Sequence, residues 1–204
     1  MSPSVPDAGR VITGAAGGLR LEAPGPGTRP FSDKVKQALF SMLESERDDI
    51  WEQPVLDLFA GSGAAGIEAL SRGAPAVVLV EKDGRAAAVI RRNLERTHLA
   101  APASVLRRDV LGYLAAGAVA PAPFGCVVLD PPYARAADML ASLEQLGRPH
   151  AGWLDDEGVV GAKHFWKDAP PERVGWLERV RERRFGETAL SVYRRGPEHA
   201  EGGR

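Results

Sequence analysis

The chain has 204 residues, 44% of them hydrophobic, with a net charge of −1, which suits one globular domain with small additions. So balanced a charge excludes a broadly basic nucleic-acid binder and leaves room only for a local basic patch. The sequence offers no apolar run of about 18 residues for a membrane span and no apolar stretch in residues 1–10 for an export signal. Its single cysteine, Cys126, excludes an intrachain disulfide and points to a reducing, cytoplasmic setting.

In chain order, short strands are predicted at residues 10–13 and 19–22 across the glycines Gly14, Gly17 and Gly18, forming a small hairpin. Ser32 or Asp33 then caps a helix to about Glu44, with Val35, Ala38, Leu39 and Met42 as its apolar stripe. From Pro54 the pattern changes to apolar strands alternating with helices. Strands are expected at 55–59, 76–80, 103–106, 124–129 and 159–162, and helices at 64–71, 85–97, 110–115 and 136–146. That alternation predicts an α/β fold, a mostly parallel sheet with helices on both faces. The segments 180–185 and 189–194, joined at Gly186, close it as an antiparallel hairpin. The organisation expected is an N-terminal extension (1–53), a catalytic domain (54–195) and a disordered tail (196–204).

Gly61, Gly63 and Gly66 in Asp57-Leu58-Phe59-Ala60-Gly61-Ser62-Gly63-Ala64-Ala65-Gly66 match a dinucleotide-binding string, and the acidic Glu81 follows Gly61 by 20 positions. The loop therefore calls for an adenosine-containing cofactor, and a nicotinamide dinucleotide fits the glycines alone. Asp57 favours another choice, because a carboxylate at the strand end repels a pyrophosphate and suits a cationic ammonium group. S-adenosylmethionine has that ammonium and no phosphate. Asp109, ending the next strand, is placed to accept from the adenine amine, or else to cap a helix. The expected cofactor contacts are Asp57, Phe59, Ala60, Gly61, Ser62, Gly63, Glu81, Lys82, Asp109 and Val110.

Asp130-Pro131-Pro132-Tyr133 follows the most apolar strand, and its two prolines force a rigid turn at the sheet's carboxyl edge. An exocyclic amine on a nucleobase is a poor nucleophile, since its lone pair is delocalised into the ring. The Asp130 carboxylate and the Pro131 carbonyl can accept its two N–H groups, while Tyr133 stacks on the base. Asp130, Pro131, Pro132 and Tyr133 are thus the catalytic candidates. Guanine, adenine, cytosine and a protein glutamine amide all remain open as substrates of such a turn.

Taken together these residues resemble the RsmD-type methyltransferases of bacterial small-subunit ribosomal RNA. The most particular stretch is Thr28-Arg29-Pro30-Phe31-Ser32-Asp33-Lys34-Val35-Lys36-Gln37-Ala38-Leu39-Phe40. Others are the glycine loop running on to Ala74, Glu81-Lys82-Asp83, Asn93-Leu94, the proline turn and Gly186-Glu187-Thr188-Ala189-Leu190. The resemblance implies a Rossmann-like class I methyltransferase fold, a seven-stranded, mostly parallel sheet whose last strand is antiparallel. It also implies methylation of a guanine N2 amine by S-adenosylmethionine, with ribosomal RNA in a partly assembled small subunit as partner. Arg10, Arg29, Lys34 and Lys36 are the RNA-contact candidates; Arg179, Arg181, Arg183 and Arg184 alternate with acids as an ordinary charged surface does. A monomer is expected. The histidines His98, His150, His164 and His199 lack ligand spacing, so no metal is expected.

Overall fold

A computed structural model of the chain describes residues 7–25 and 31–196. A two-stranded hairpin, β1 (Asp7–Arg10) and β2 (Arg20–Glu22), precedes helix α1 (Asp33–Glu44). The Ser32 hydroxyl caps that helix by accepting the Val35 amide. Then come β3 (Val55–Leu58), α2 (Ala64–Arg72), β4 (Val77–Val80), α3 (Gly84–Arg96), β5 (Ala103–Leu106), α4 (Val110–Ala115), β6 (Phe124–Leu129) and α5 (Ala136–Leu146). The chain closes with β7 (Leu154–Phe165), β8 (Arg173–Val174), β9 (Leu177–Phe185) and β10 (Thr188–Arg195).

The main sheet runs β5-β4-β3-β6-β7-β10-β9-β8. Strands β5, β4, β3, β6 and β7 pair in parallel, and β10 enters antiparallel between β7 and β9. The sheet thus has eight strands rather than the expected seven. The addition, β8, is two residues long and antiparallel to β9, too short for any hydrophobic pattern to announce it.

Successive residues of the central strands point to opposite faces, and both faces are covered, which is why those strands read as unbroken apolar runs. Val77 and Leu79 pack with Leu39, Ile67, Ile90 and Leu94 from α1, α2 and α3. Val78 and Val80 pack with Val110, Leu114, Met139 and Leu143 from α4 and α5. Buried Cys126 belongs to the first of these cores, and burial pushes its thiol well above the ordinary range. It is a small core residue.

The hairpin is bound to the body by polar side chains. Glu68 on α2 accepts the Ile12 amide at 2.6 Å and the Thr13 amide at 3.3 Å, so these two residues continue no strand and β1 stops at Arg10 instead of Thr13. The Ser71 hydroxyl accepts from Ala16 and donates to the Thr13 carbonyl. Asn93 on α3 bonds the amide and carbonyl of Glu22 and also donates to the Ser62 carbonyl at 2.9 Å. One buried amide therefore joins the hairpin to the glycine loop. Gly196 ends the described segment, so all but this first residue of the expected tail at 196–204 lies outside the described residues, as does Arg29.

Candidate active site

From β3 the chain steps outward to β4 and β5, then returns across the sheet to β6, so the direction of winding reverses between β3 and β6. Their carboxyl ends form the crevice in which open α/β sheets bind ligands. Leu58 and Leu129 are register partners at that edge, and the Asp130 amide donates to the Leu58 carbonyl. The glycine loop and the proline turn leave the sheet side by side.

The loop after β3 is built on left-handed backbone. Gly61 and Gly63 have φ of +56° and +79°, and Phe59 adopts φ +63° without a glycine's freedom. A Cβ on Gly66 would lie 2.7 Å from Leu79 Cδ2 and 3.0 Å from Val77 Cγ1, so this glycine sets how closely α2 packs on β4. Asp57 is 1% exposed and accepts the Gly66 amide at 2.8 Å. Burial raises its carboxyl to about 7; the Gly66 amide opposes that rise, and the nearby charges of Asp130 and Glu81 add to it. Glu81, at the end of β4, accepts the Gly61 amide at 2.9 Å through one oxygen and the Asp83 amide at 2.8 Å through the other. Each oxygen keeps a lone pair for a ligand hydroxyl. Asp109 caps α4 by accepting the Gly112 amide at 3.1 Å, yet it also faces the cleft.

These groups line a cleft of about 570 Å³, a volume ordinary for small-ligand sites. Ala8, Ala23 and Pro24 from the hairpin side, Phe31 just before α1 and Asp130 to Tyr133 complete its wall. Asp57, Phe59, Ala60, Gly61, Ser62, Glu81, Lys82, Asp109 and Val110 all face it; Gly63 lies just behind, its missing Cβ relieving crowding against Ile90 and Leu79. The donor set fits S-adenosylmethionine. Three carboxylates meet a ligand rich in cationic and neutral donors, and the Gly66 amide in the first turn of α2 is already taken by Asp57. A dinucleotide's pyrophosphate would meet that carboxylate at close quarters.

The proline turn adds a pair that sequence reasoning missed. Lys163 on β7 bonds the Asp130 carboxylate, and its ammonium lies 5.1 Å from the Phe31 ring centre and 5.5 Å from that of Tyr133. The Tyr133 hydroxyl is anchored to the Thr188 hydroxyl at 2.6 Å, and its ring packs against Phe165. The signal was present: Lys163 interrupts the apolar run Val159-Val160-Gly161-Ala162, where a charge is retained only with a partner.

Of the RNA-contact candidates, Arg10 and Lys34 are exposed, with Arg10 paired to Asp33 at 3.0 Å. Lys36 is a correction. It is fully buried, donates to the Arg10 carbonyl at 2.6 Å and lies 3.8 Å from Glu68, so it ties the hairpin to the core and cannot touch RNA. Desolvation lowers its pKa, with Glu68 the largest opposing influence. Its position three before Leu39 and seven before Leu43 already set it on the buried stripe. Arg179 and Arg181 are engaged by Glu172, Glu182 and Glu46, as a charged surface would have them. Arg183 and Arg184 lie over Phe185 and Trp166.

A doubly wound sheet with an antiparallel strand inserted before its edge, and an acid-lined cleft at its switch point beside an Asp-Pro-Pro-Tyr turn, define an S-adenosylmethionine-dependent methyltransferase. Known proteins agree. The family described as "Conserved hypothetical protein 95" matches residues 9–194. YlbH of Bacillus subtilis, described as a candidate rRNA methyltransferase, is 36% identical over 187 residues, covering 91% of this chain and 98% of its own. Ribosomal RNA small subunit methyltransferase D of Escherichia coli is 33% identical over 187 residues, covering 91% and 89%. The solved structure of the Escherichia coli protein yhhF, described as a candidate methyltransferase, superposes with a TM-score of 0.75 at 32% identity over 92% of this chain and 97% of that one. The chain belongs to this family, that of the RsmD-type methyltransferases.

Proposed function

We propose that the enzyme methylates the N2 amine of one guanine in 16S ribosomal RNA, within a small subunit or an assembly intermediate. The observation that carries the reaction is the juxtaposition of the Asp130 turn and the glycine loop in one cleft. The substrate follows from the family, whose Escherichia coli member is named for small-subunit ribosomal RNA.

On this proposal Asp57 meets the cofactor's ammonium, Glu81 its ribose hydroxyls, and Asp109 its adenine amine. Phe59, Ala60, Gly61, Ser62, Gly63, Lys82 and Val110 shape the rest of its bed. When bound, the cofactor supplies an electrophilic methyl group. Asp130 and the Pro131 carbonyl accept the two N–H groups of the target amine, stabilising the charge that develops on nitrogen, and Tyr133 aligns the base. The proton leaves to Asp130 or to water after transfer. Arg10 and Lys34 contact phosphates, as does Arg29 outside the described residues. Residues 1–53 extend the 54–195 catalytic domain on the RNA side. The enzyme acts as a monomer, without a metal, in the cytoplasm where ribosomes assemble. No helix among the described residues is long and apolar enough to cross a membrane, and none of their His, Cys, Asp and Glu side chains gather into a metal-binding group.

The test offers isotopically labelled S-adenosylmethionine with naked ribosomal RNA, unmodified small subunits, tRNA and DNA, and identifies products by nucleoside mass spectrometry. N2-methylguanosine from ribosomal substrate alone is the expected result. Methylated adenine or cytosine would overturn the substrate and keep the chemistry. Cofactor binding without transfer to any nucleic acid would point to a protein amide.

A further inference from the structure

Parallel pairing of β6 with β7 brings Lys163 beside Asp130, 33 residues away in the chain. The Lys163 side chain is 9% exposed, that of Asp130 21%, and both face the cleft. A desolvated ammonium is costly unless paired, and an apolar residue would extend this strand's core without that cost. Asp130 takes one of the three ammonium donors, and the Phe31 and Tyr133 rings flank the cation. The pair is therefore a built feature of the cleft wall: a carboxylate with a cation fixed to one of its oxygens.

We infer that Lys163 donates to the O6 of the target guanine and is a specificity determinant, an inference that rests on the guanine N2 reaction proposed above. The Watson–Crick edge of guanine runs donor, donor, acceptor through the N2 amine, N1–H and O6. The Asp130–Lys163 pair offers the complement in the same order: one carboxylate oxygen, the second oxygen, then the ammonium. O6 is on the carbon next to N1, so a cation bonded to the oxygen that receives N1–H is already beside O6. The Pro131 carbonyl takes the remaining N2 hydrogen. Adenine presents its amine to the position of O6 and an unprotonated N1 to the carboxylate, so the ammonium would face donors and the carboxylate a lone pair. The pair thus selects guanine by attraction and rejects adenine by repulsion.

The experiment uses small subunits whose ribosomal RNA is ligated around a synthetic segment carrying guanine, 6-thioguanine or 2,6-diaminopurine at the mapped target. Thioguanine keeps N1–H and the N2 amine but replaces O6 with a poor acceptor. Wild-type enzyme should lose about tenfold in kcat/KM on thioguanine. Lys163→Met should be slower on guanine, treat the two bases alike within about twofold, and bind the cofactor as wild type does. Lys163→Arg should restore part of the discrimination. Equal discrimination by wild type and Lys163→Met would overturn the O6 contact. Wild type alone supplies a second check that no folding defect can obscure. It should reject diaminopurine, which keeps the N2 amine, by about a hundredfold or more, and ready methylation of that base would sink the inference while leaving guanine N2 chemistry intact. Absence of N2-methylguanosine on unmodified target overturns the underlying function, and Lys163's assignment with it.

Discussion

Asp57 and Gly66 are joined across the first turn of α2 by a 2.8 Å hydrogen bond, in which a buried carboxylate accepts a glycine amide. This bond holds the loop closed over the end of β3, and it places a charge where the fold has almost no water. Burial raises the Asp57 carboxyl to about 7 against an ordinary 3.8. An acid whose pKa is raised by folding stabilises the folded state least when ionised. Stability is therefore lost as pH rises from about 4 to about 7, and is constant above.

Asp57→Asn keeps an acceptor for Gly66 and removes the charge. The ligand-free variant should be more stable to unfolding than wild type at pH 8, by on the order of a few kcal/mol, with the difference vanishing near pH 4. It should also bind S-adenosylmethionine about tenfold or more weakly at pH 8. In wild type, cofactor affinity should climb as pH rises toward 7, where the carboxylate ionises, and fall again above about 8 as the cofactor's own ammonium loses its proton. Calorimetric titration at several pH values checks both, and an Asn variant less stable than wild type at pH 8 would contradict the assignment.

Glu81 holds the Gly61 and Asp83 amides as well as facing the cleft. Glu81→Ala should weaken cofactor binding by about 1–3 kcal/mol and speed hydrogen exchange at those two amides. An unchanged dissociation constant would remove Glu81 from the ligand's contacts.

Asp130→Ala should abolish methyl transfer while cofactor affinity stays within about twofold of wild type. The substitution also strands the Lys163 ammonium in a largely desolvated site, so a stability loss of about 1–3 kcal/mol is expected in thermal melts. Equal loss of cofactor binding and turnover would place Asp130 in the cofactor site instead.

Gly66→Ala puts a methyl group 2.7 Å from Leu79 Cδ2 and against Val77. It should cost about 1–3 kcal/mol in denaturant unfolding, since α2 must lift from β4. A neutral substitution would show that this packing is looser than the distances imply.

Lys34 and Lys36 should separate cleanly. Lys34→Glu should reduce RNA affinity and its salt dependence with no change in melting temperature. Lys36→Met should lower stability by about 1–3 kcal/mol through the hairpin anchor and leave RNA affinity alone. Measurements at two salt concentrations together with thermal melts distinguish the pair.

The sequence by itself determined the alternation of strands and helices, because each central strand is buried on both faces and the helices other than α2 on one stripe, patterns written in neighbouring residues. It also determined where the glycine loop and the Asp130 turn fall, since left-handed glycines and paired prolines act locally. Legibility ended where partners are distant in the chain. Lys36 lies on the buried stripe by its spacing, but its role as the hairpin's anchor depends on the Arg10 carbonyl and on Glu68 of α2, both distant in the chain. Glu81 gained the Gly61 amide, 20 residues away, as a partner, whereas the Asp109 cap on Gly112 is local and was legible. Lys163 entered the site because β7 pairs with β6 in one register, Leu129 opposite Ala162. Local propensity and periodicity specify elements; which charged group ends beside which is decided by strand register and by the cost of leaving a charge unpaired away from water.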